Sequence, residues 1–574
     1  MNGNLHNGQL TDRVFIEYLN EHGVLDLVRV LLAGKKDSDS GFIRFDENIG
    51  CWDIANRTDA YFTDVLYKEV DRLIGLIELK REIAKKIEEE QQEDQQGEES
   101  DSEKEDSKQK PKKESDPVYA YLVGLQNNKG ISSLANMARK LSTIQSRLTD
   151  FDTVKKCSDY LNFEDCRLNL NTGEFEETNI DDMSSKSCAL KARPYWDKDG
   201  VIRSEGAVRT FIHDFFTPTT GRDKGVFQEG FYTMFMSALG ASLYGVRREK
   251  KVFFLWGPGD TGKSLLMATI GEALGGDSDR GYYMTLDKSF FTVNRTGNND
   301  SLVNLKGRRI GCTSEMSADD IMQNEFIKTV SGVDTLRGSR KFEKQVQFDN
   351  IATLWIDTNE MPRSRNGYDM AFFNRIAIIN CEHVVEPKDQ DKTLKQKLLK
   401  DTEGLVWLLT TAAEIYRKNG LFIPREAEKL KTDYVKEASS IIGFLENHTV
   451  ETHNPNDWIS SEDLYQKYKD YYTSSNNVDG LNKRENYIES KDTFVKVVTS
   501  WYKTVQSSVG KKVCGKFRRC LSGIRYEERK EMVDEDENDL GWYDESEIHD
   551  LLLQDTDDAA PEIEEHEVID EIPF

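Results

Sequence analysis

Residues 253–264, FFLWGPGDTGKS, constrain this 574-residue chain more than any other stretch. An apolar run, Val252–Trp256, leads into a complete G-x-x-x-x-G-K-[ST] motif made of Gly257, Pro258, Gly259, Asp260, Thr261, Gly262, Lys263 and Ser264. Glycines at these positions let successive backbone N–H groups turn inward around phosphate oxygens. A lysine there can place its ammonium on the β- and γ-phosphates of ATP, and the serine hydroxyl can ligate Mg²⁺. The apolar run predicts a buried strand, and residues 265–274 predict a helix ended by Gly275 and Gly276. A chance glycine-rich turn is the plain alternative; the strand before the motif and the helix after it argue against that.

Length predicts three or four domains. No apolar run reaches the ~18 residues of a membrane span, and the first residues, MNGNLHNGQLTDR, carry no apolar leader segment. A cytoplasmic location is therefore expected. The eight cysteines form no C-x-x-C pair and no metal-ligand spacing, which predicts reduced structural thiols and no zinc site. The net charge of −26 is concentrated in two segments. Residues 527–574 hold 21 acidic and 2 basic residues, and residues 88–116 hold 13 acidic and 5 basic. The rest is close to neutral and can present basic surfaces to nucleic acid.

These shifts in composition predict seven segments. Residues 1–87 mix helix and strand patterns and have no assignable role. Residues 88–116 contain no aliphatic or aromatic residue except one proline's ring, and predict a solvated linker. Residues 117–245 predict a mostly helical domain, 246–385 an α/β layer on a parallel sheet, and 386–440 a helical lid. Two helices and a Lys/Arg-rich hairpin within 441–526 outline a winged helix. Residues 527–574 form an acidic tail.

Three further elements narrow the chemistry of the phosphate loop. RRIGCTSE (308–315) predicts a strand ending in Glu315, a carboxylate able to hold Mg²⁺ through water or polarise an attacking water. TLWIDTN (353–359) predicts a strand ending in Asn359, whose amide can reach the γ-phosphate or position the lytic water. Arg375, in DMAFFNRI, is a candidate arginine finger acting on a neighbouring subunit's ATP.

The ordered set GPGDTGKS, Ser314–Glu315, FIKTVSGVDTLRGSRKFEKQVQF (326–348) and TNEMPRSRNGYDMAFFNRIAII (358–379) resembles the superfamily 3 helicases. It is most similar to the helicase half of the phage and plasmid primase-helicases, a group similar to the poxvirus primase-helicase. The resemblance covers about residues 161–526. It implies a P-loop, AAA+-like ATPase core that works as a hexameric ring on single-stranded DNA. It also implies a DNA-contacting hairpin near residues 334–348, with Arg337, Arg340, Lys341 and Lys344 as phosphate contacts; a solvated basic loop is the bland alternative. The family commonly has two adjacent arginines where this chain has Asn374 and Arg375, so Arg363 or Arg365 could assist Arg375. No paired-carboxylate primase core stands upstream, so primer synthesis is not expected.

The chain ends in EEHEVIDEIPF, which resembles the tip of bacterial single-stranded DNA-binding proteins. Asp570, Glu571, Ile572, Pro573 and Phe574 offer charge and an aromatic anchor to host or phage replication proteins. An ordinary solubilising tail is the alternative. Docking would place the protein in a bacterial host cell. The expectation is an ATP-dependent DNA helicase of a phage or mobile element. An origin-binding initiator and a primase-helicase with an unrecognised primase are the alternatives. A packaging ATPase or kinase is disfavoured by the order of hairpin, Asn strand and arginine.

Overall fold

The computed structural model describes residues 11–32, 41–96, 116–126, 131–147, 150–195, 206–246, 249–292, 300–332, 335–338, 346–364, 369–478, 490–513 and 516–527. The chain divides into two units, Met1–Ala438 and Ser439–Phe574.

The first unit opens with helix α1 (Asp12–Glu21) and strands β1 (Val28–Leu32), β2 (Gly41–Asp46) and β3 (Cys51–Asp53). Helices α2 (Asp59–Gln96), α3 (Pro117–Leu125) and α4 (Ile131–Ala138) follow, then strand β4 (Gln145–Arg147). The sheet order is β3–β2–β1–β4, with β1 antiparallel to β2 and parallel to β4. A boundary was expected across the acidic stretch 88–116, with separate domains on either side. The structure instead joins the two sides. α2 runs on to Gln96, and β1 and β4 pair directly although that stretch lies between them in sequence. The physical reason is burial. Phe15, Phe42 and Phe62 on one side share a single core with Leu122, Leu134 and Ile144 on the other.

A small antiparallel sheet follows, β5 (Tyr160–Asn162), β6 (Arg167–Asn169) and β7 (Phe175–Glu176), and then helices α5 (Ala207–Phe215) and α6 (Glu229–Leu243). The centre of the unit is a five-stranded parallel sheet. Its strands are β8 (Val252–Trp256), β9 (Tyr283–Thr285), β10 (Ile310–Met316), β13 (Thr353–Thr358) and β14 (Ile376–Asn380). The short strands β11 (Thr335–Gly338) and β12 (Val346–Asp349) pair separately. The order of the central sheet is β14–β8–β13–β10–β9. Its strands read as nearly unbroken apolar runs because both faces are covered. One core holds Leu161, Phe215, Phe235 and Leu239 from the preceding elements and Phe253, Trp355 and Ile379 from the sheet. It also holds Ile270 of helix α7 (Lys263–Ala273) and Leu409 of helix α8 (Thr402–Asn419). The boundary expected at 245/246 is thus a junction inside this core.

The second unit contains helix α9 (Ser440–His448), strands β15 (Thr449–Glu451) and β16 (Trp458–Ser460), and helices α10 (Ser461–Val478) and α11 (Lys491–Trp501). Strands β17 (Gln506–Val513), β18 (Lys516–Ser522) and β19 (Ile524–Tyr526) complete it. One sheet has the order β16–β18–β17, and β15 pairs with β19. The Phe494 ring stacks on Tyr468 at 5.0 Å and lies near Phe444, so the three helices share one aromatic core. No helix among the described residues is long and apolar enough to cross a membrane.

Candidate nucleotide-binding site

β8 supplies five consecutive apolar residues inside the sheet, between β14 and β13, and the phosphate loop leaves its C-terminal end. Gly257 has φ of 156°, and a Cβ there would lie 2.0 Å from the Cys381 carbonyl oxygen. Only glycine fits that approach. Gly262 caps α7 in the left-handed region, with φ of 85°. The first turn of α7 therefore directs its free N–H groups and positive dipole end toward the loop, which suits an anion.

Lys263 is buried, and its ammonium donates to the carbonyls of Gly257 at 2.9 Å and Pro258 at 2.6 Å. It also donates to Thr261 Oγ1 at 3.1 Å and to Asn359 Oδ1 at 3.0 Å. Burial lowers its pKa, against the raising effect of Cys381, Asp357 and Asp260. The Ser264 hydroxyl donates to Asp357 Oδ2 at 2.5 Å. Asp357 lies in β13 and is 4% exposed. Asp357 and Asn359 are two residues apart, so an extended chain turns both toward the same side, one to each motif residue.

The structure brings together Lys263, Ser264 and Asn359, and adds Asp357, which is not among the residues expected from the sequence. It is an isolated acid inside an apolar strand, in phase with the asparagine. Glu315 lies in β10, where the pairing with β13 shifts register between Ser314 and Met316, and Ser314 is opposite Asp357. A cleft of about 230 Å³ opens beside Ser264 and Asp357, lined also by Glu272, Asp277, Tyr283 and Thr313. Lys263, Ser264, Asp357 and Asn359 gather at the C-terminal ends of β8 and β13, the edge where open parallel sheets bind ligands.

Arg375 lies elsewhere. It immediately precedes β14, and its carbonyl accepts from Val252 N at 2.6 Å, at the start of β8. A five-residue strand, roughly 16 Å, separates that edge from the phosphate loop of the same chain. Its guanidinium donates to the Ala371 carbonyl. Arg363 starts a two-residue strand paired with Ile321–Met322, and Arg365 lies outside the described residues.

The expected hairpin is formed by β11 and β12, with Arg337 opposite Gln347. Leu336 and Phe348 are buried and anchor one face, while Arg337 is exposed on the other. Arg340, Lys341 and Lys344, and the tail residues Asp570 to Phe574, lie outside the described residues.

Comparison with known proteins adds to this geometry. Residues 42–216 match a family described as D5 N terminal like, and residues 255–375 match a family of unknown function, DUF5906. A protein of Acanthamoeba polyphaga mimivirus, provisionally named a helicase, is 25% identical over 260 residues, 42% of this chain. Another such protein, from Sputnik virophage, is 22% identical over 341 residues, 55% of this chain. The chain resembles viral helicase-named proteins. It spans only 26% and 41% of the lengths of those two relatives. Among solved structures, the apo C-terminal region of NrS-1 aligns with 70% of this chain and 90% of its own, at 14% identity and a TM-score of 0.38. Together, the family matches and the viral relatives show a likeness to viral proteins named as helicases over parts of the chain.

Proposed function

We propose that this protein is an ATP-dependent DNA helicase of the superfamily 3 type, acting as a hexameric ring in the replication of a phage, viral or mobile genome. The observation that carries the reading is the meeting of Lys263 with Asn359, and of Ser264 with Asp357, at one edge of the parallel sheet. The strand order β14–β8–β13–β10–β9 suits an AAA+-like ATPase, in which the phosphate-loop strand lies between the fifth and fourth strands.

In this reading the phosphate-loop amides and Lys263 bind the β- and γ-phosphates of ATP. Lys263 exchanges its carbonyl contacts for phosphate oxygens. Asn359 orients the γ-phosphate or the attacking water, and Glu315 takes the proton of that water. The Ser264 hydroxyl and Asp357 carboxylate are hard oxygen donors held together, a pair that fits Mg²⁺. Bound there, Mg²⁺ would offset charge on the phosphates. Arg375 lies too far along the sheet to serve its own loop, which favours action on a neighbouring subunit's ATP. Arg337, Arg340, Lys341 and Lys344 contact the DNA backbone from the pore hairpin. The second unit, read as a winged helix, binds DNA. The acidic tail with Asp570, Glu571, Ile572, Pro573 and Phe574 recruits replication proteins; the bacterial host inferred from it rests on that tail alone.

Unwinding of a forked duplex with ATP tests the reading. Wild type should displace the strand, Lys263→Ala should lose both hydrolysis and displacement, and Arg340→Ala/Lys341→Ala should hydrolyse ATP without displacing. ATP-dependent DNA binding with no displacement on any fork would make the protein an origin-melting initiator instead. Template-dependent nucleotide incorporation would add a primase to the chain.

A further inference from the structure

The hairpin of β17 and β18 carries a feature that the ATPase does not explain. Between residues 506 and 522 there are five cations, Lys511, Lys512, Lys516, Arg518 and Arg519, and no acid. Pairing sets Gly510 opposite Arg519, Lys511 opposite Arg518 and Lys512 opposite Phe517.

The two faces differ. Alternation puts Lys511, Arg518 and Cys520 on one face. On that face Arg518 turns to the body of the unit and pairs with Asp463 of α10 at 3.1 Å; further along, where β18 pairs with β16, Cys520 and, on the opposite face, Leu521 are both fully buried. Phe517, Arg519, Lys512 and Gly510 share the other face. Phe517 is 81% exposed, far above any other large apolar residue described. Its ring edge lies 4.0 Å from where a Cβ of Gly510 would stand, so the glycine leaves that flank of the ring bare. Lys512 and Arg519 are exposed beside it, and no ion pair ties either to a carboxylate among the described residues. A lone exposed phenylalanine is ordinary on a protein surface. An aromatic plate between two free cations on a projecting ribbon is the arrangement that stacks one base and grips the phosphates around it.

We propose that this face of the second unit binds single-stranded DNA, with a base stacked on Phe517 and neighbouring phosphates held by Lys512 and Arg519. The assignment rests on the helicase reading only in taking DNA as the polyanion.

The test is fluorescence anisotropy of the full chain with a labelled oligo-dT strand and with a duplex of equal length, at several salt concentrations. Phe517→Ala should weaken single-strand binding about 5- to 100-fold, as loss of one base stack does, and duplex binding far less. Phe517→Trp should keep the affinity and add a fluorescence signal that the strand quenches. Lys512→Gln/Arg519→Gln should reduce the salt slope for the single strand by about 1.4. Unchanged thermal unfolding of each variant controls for folding. If wild type binds and unwinds DNA but Phe517→Ala binds the single strand equally well, the stacking site is wrong and the helicase reading stands. Equal losses on single strand and duplex overturn base stacking in favour of duplex-groove contact. Failure of wild type to bind any DNA removes the helicase reading, and this proposal with it.

Discussion

At the scale of single residues, the site depends on two polar contacts, Lys263 with Asn359 and Ser264 with Asp357. Asp357→Asn keeps the shape of the buried side chain but removes its charge. It should lower ATP hydrolysis at least about tenfold, a barrier change of about 1.4 kcal/mol, with nucleotide binding in the absence of Mg²⁺ little changed. Steady-state hydrolysis together with nucleotide titration in EDTA checks both halves. Hydrolysis at the wild-type rate would reduce Asp357 to a structural partner of Ser264. Lys263 and Ser264 were legible in the sequence because their motif is local, and Asn359 because it ends an apolar strand. Asp357 was not, because an acid inside a buried strand gains its meaning from a hydroxyl 93 positions away.

At the scale of elements, β13 lies at the centre of the sheet, and all six of its residues are buried. Trp355 packs against Phe253 of β8 with ring centroids 4.9 Å apart and planes tilted by 32°, and its indole N–H donates to Ser242 Oγ at 3.1 Å. Trp355→Ala should therefore cost about 3–5 kcal/mol of stability, read as a lower denaturant midpoint for the first unit. A cost below about 1 kcal/mol would contradict a tightly packed centre. The strands were readable from their apolar runs, and the β11–β12 hairpin, residues 335–349, runs one residue past the expected 334–348. The register shift at Glu315 was not readable, because pairing register between distant strands leaves no local trace in the chain.

At the scale of the whole first unit, Lys186 is buried and donates to the Asp279 carbonyl. Burial, aided by the positive charge of Arg308, pulls its pKa down to about 8, against an opposing pull from Asp152. An unfolded lysine titrates near 10.4. Between those values the unfolded chain holds more protons, so stability rises with pH; below about 8 the full cost of the buried charge remains. The unfolding free energy of wild type minus that of Lys186→Met should therefore rise between pH 8 and 10, as measured by denaturant titration. A flat difference would show that Lys186 stays charged when folded. Nearby, Arg280 pairs with Asp46 at 3.1 Å and with the buried Asp53 at 2.7 Å, tying the central sheet's side of the unit to the β1–β4 lobe.

The sequence by itself determined the phosphate loop, the parallel α/β core around it, the Asn359 strand and the basic hairpins, because each is written in local spacing and periodicity. Tertiary structure alone decided that residues on both sides of the acidic stretch build one lobe, that 160–245 share the sheet's core, and that Asp357 joins the site. It also decided that Arg375 lies at the far edge from its own loop. The physical reason is common to all four. A buried surface is completed by whichever distant segment covers it, and composition cannot show which segment that is.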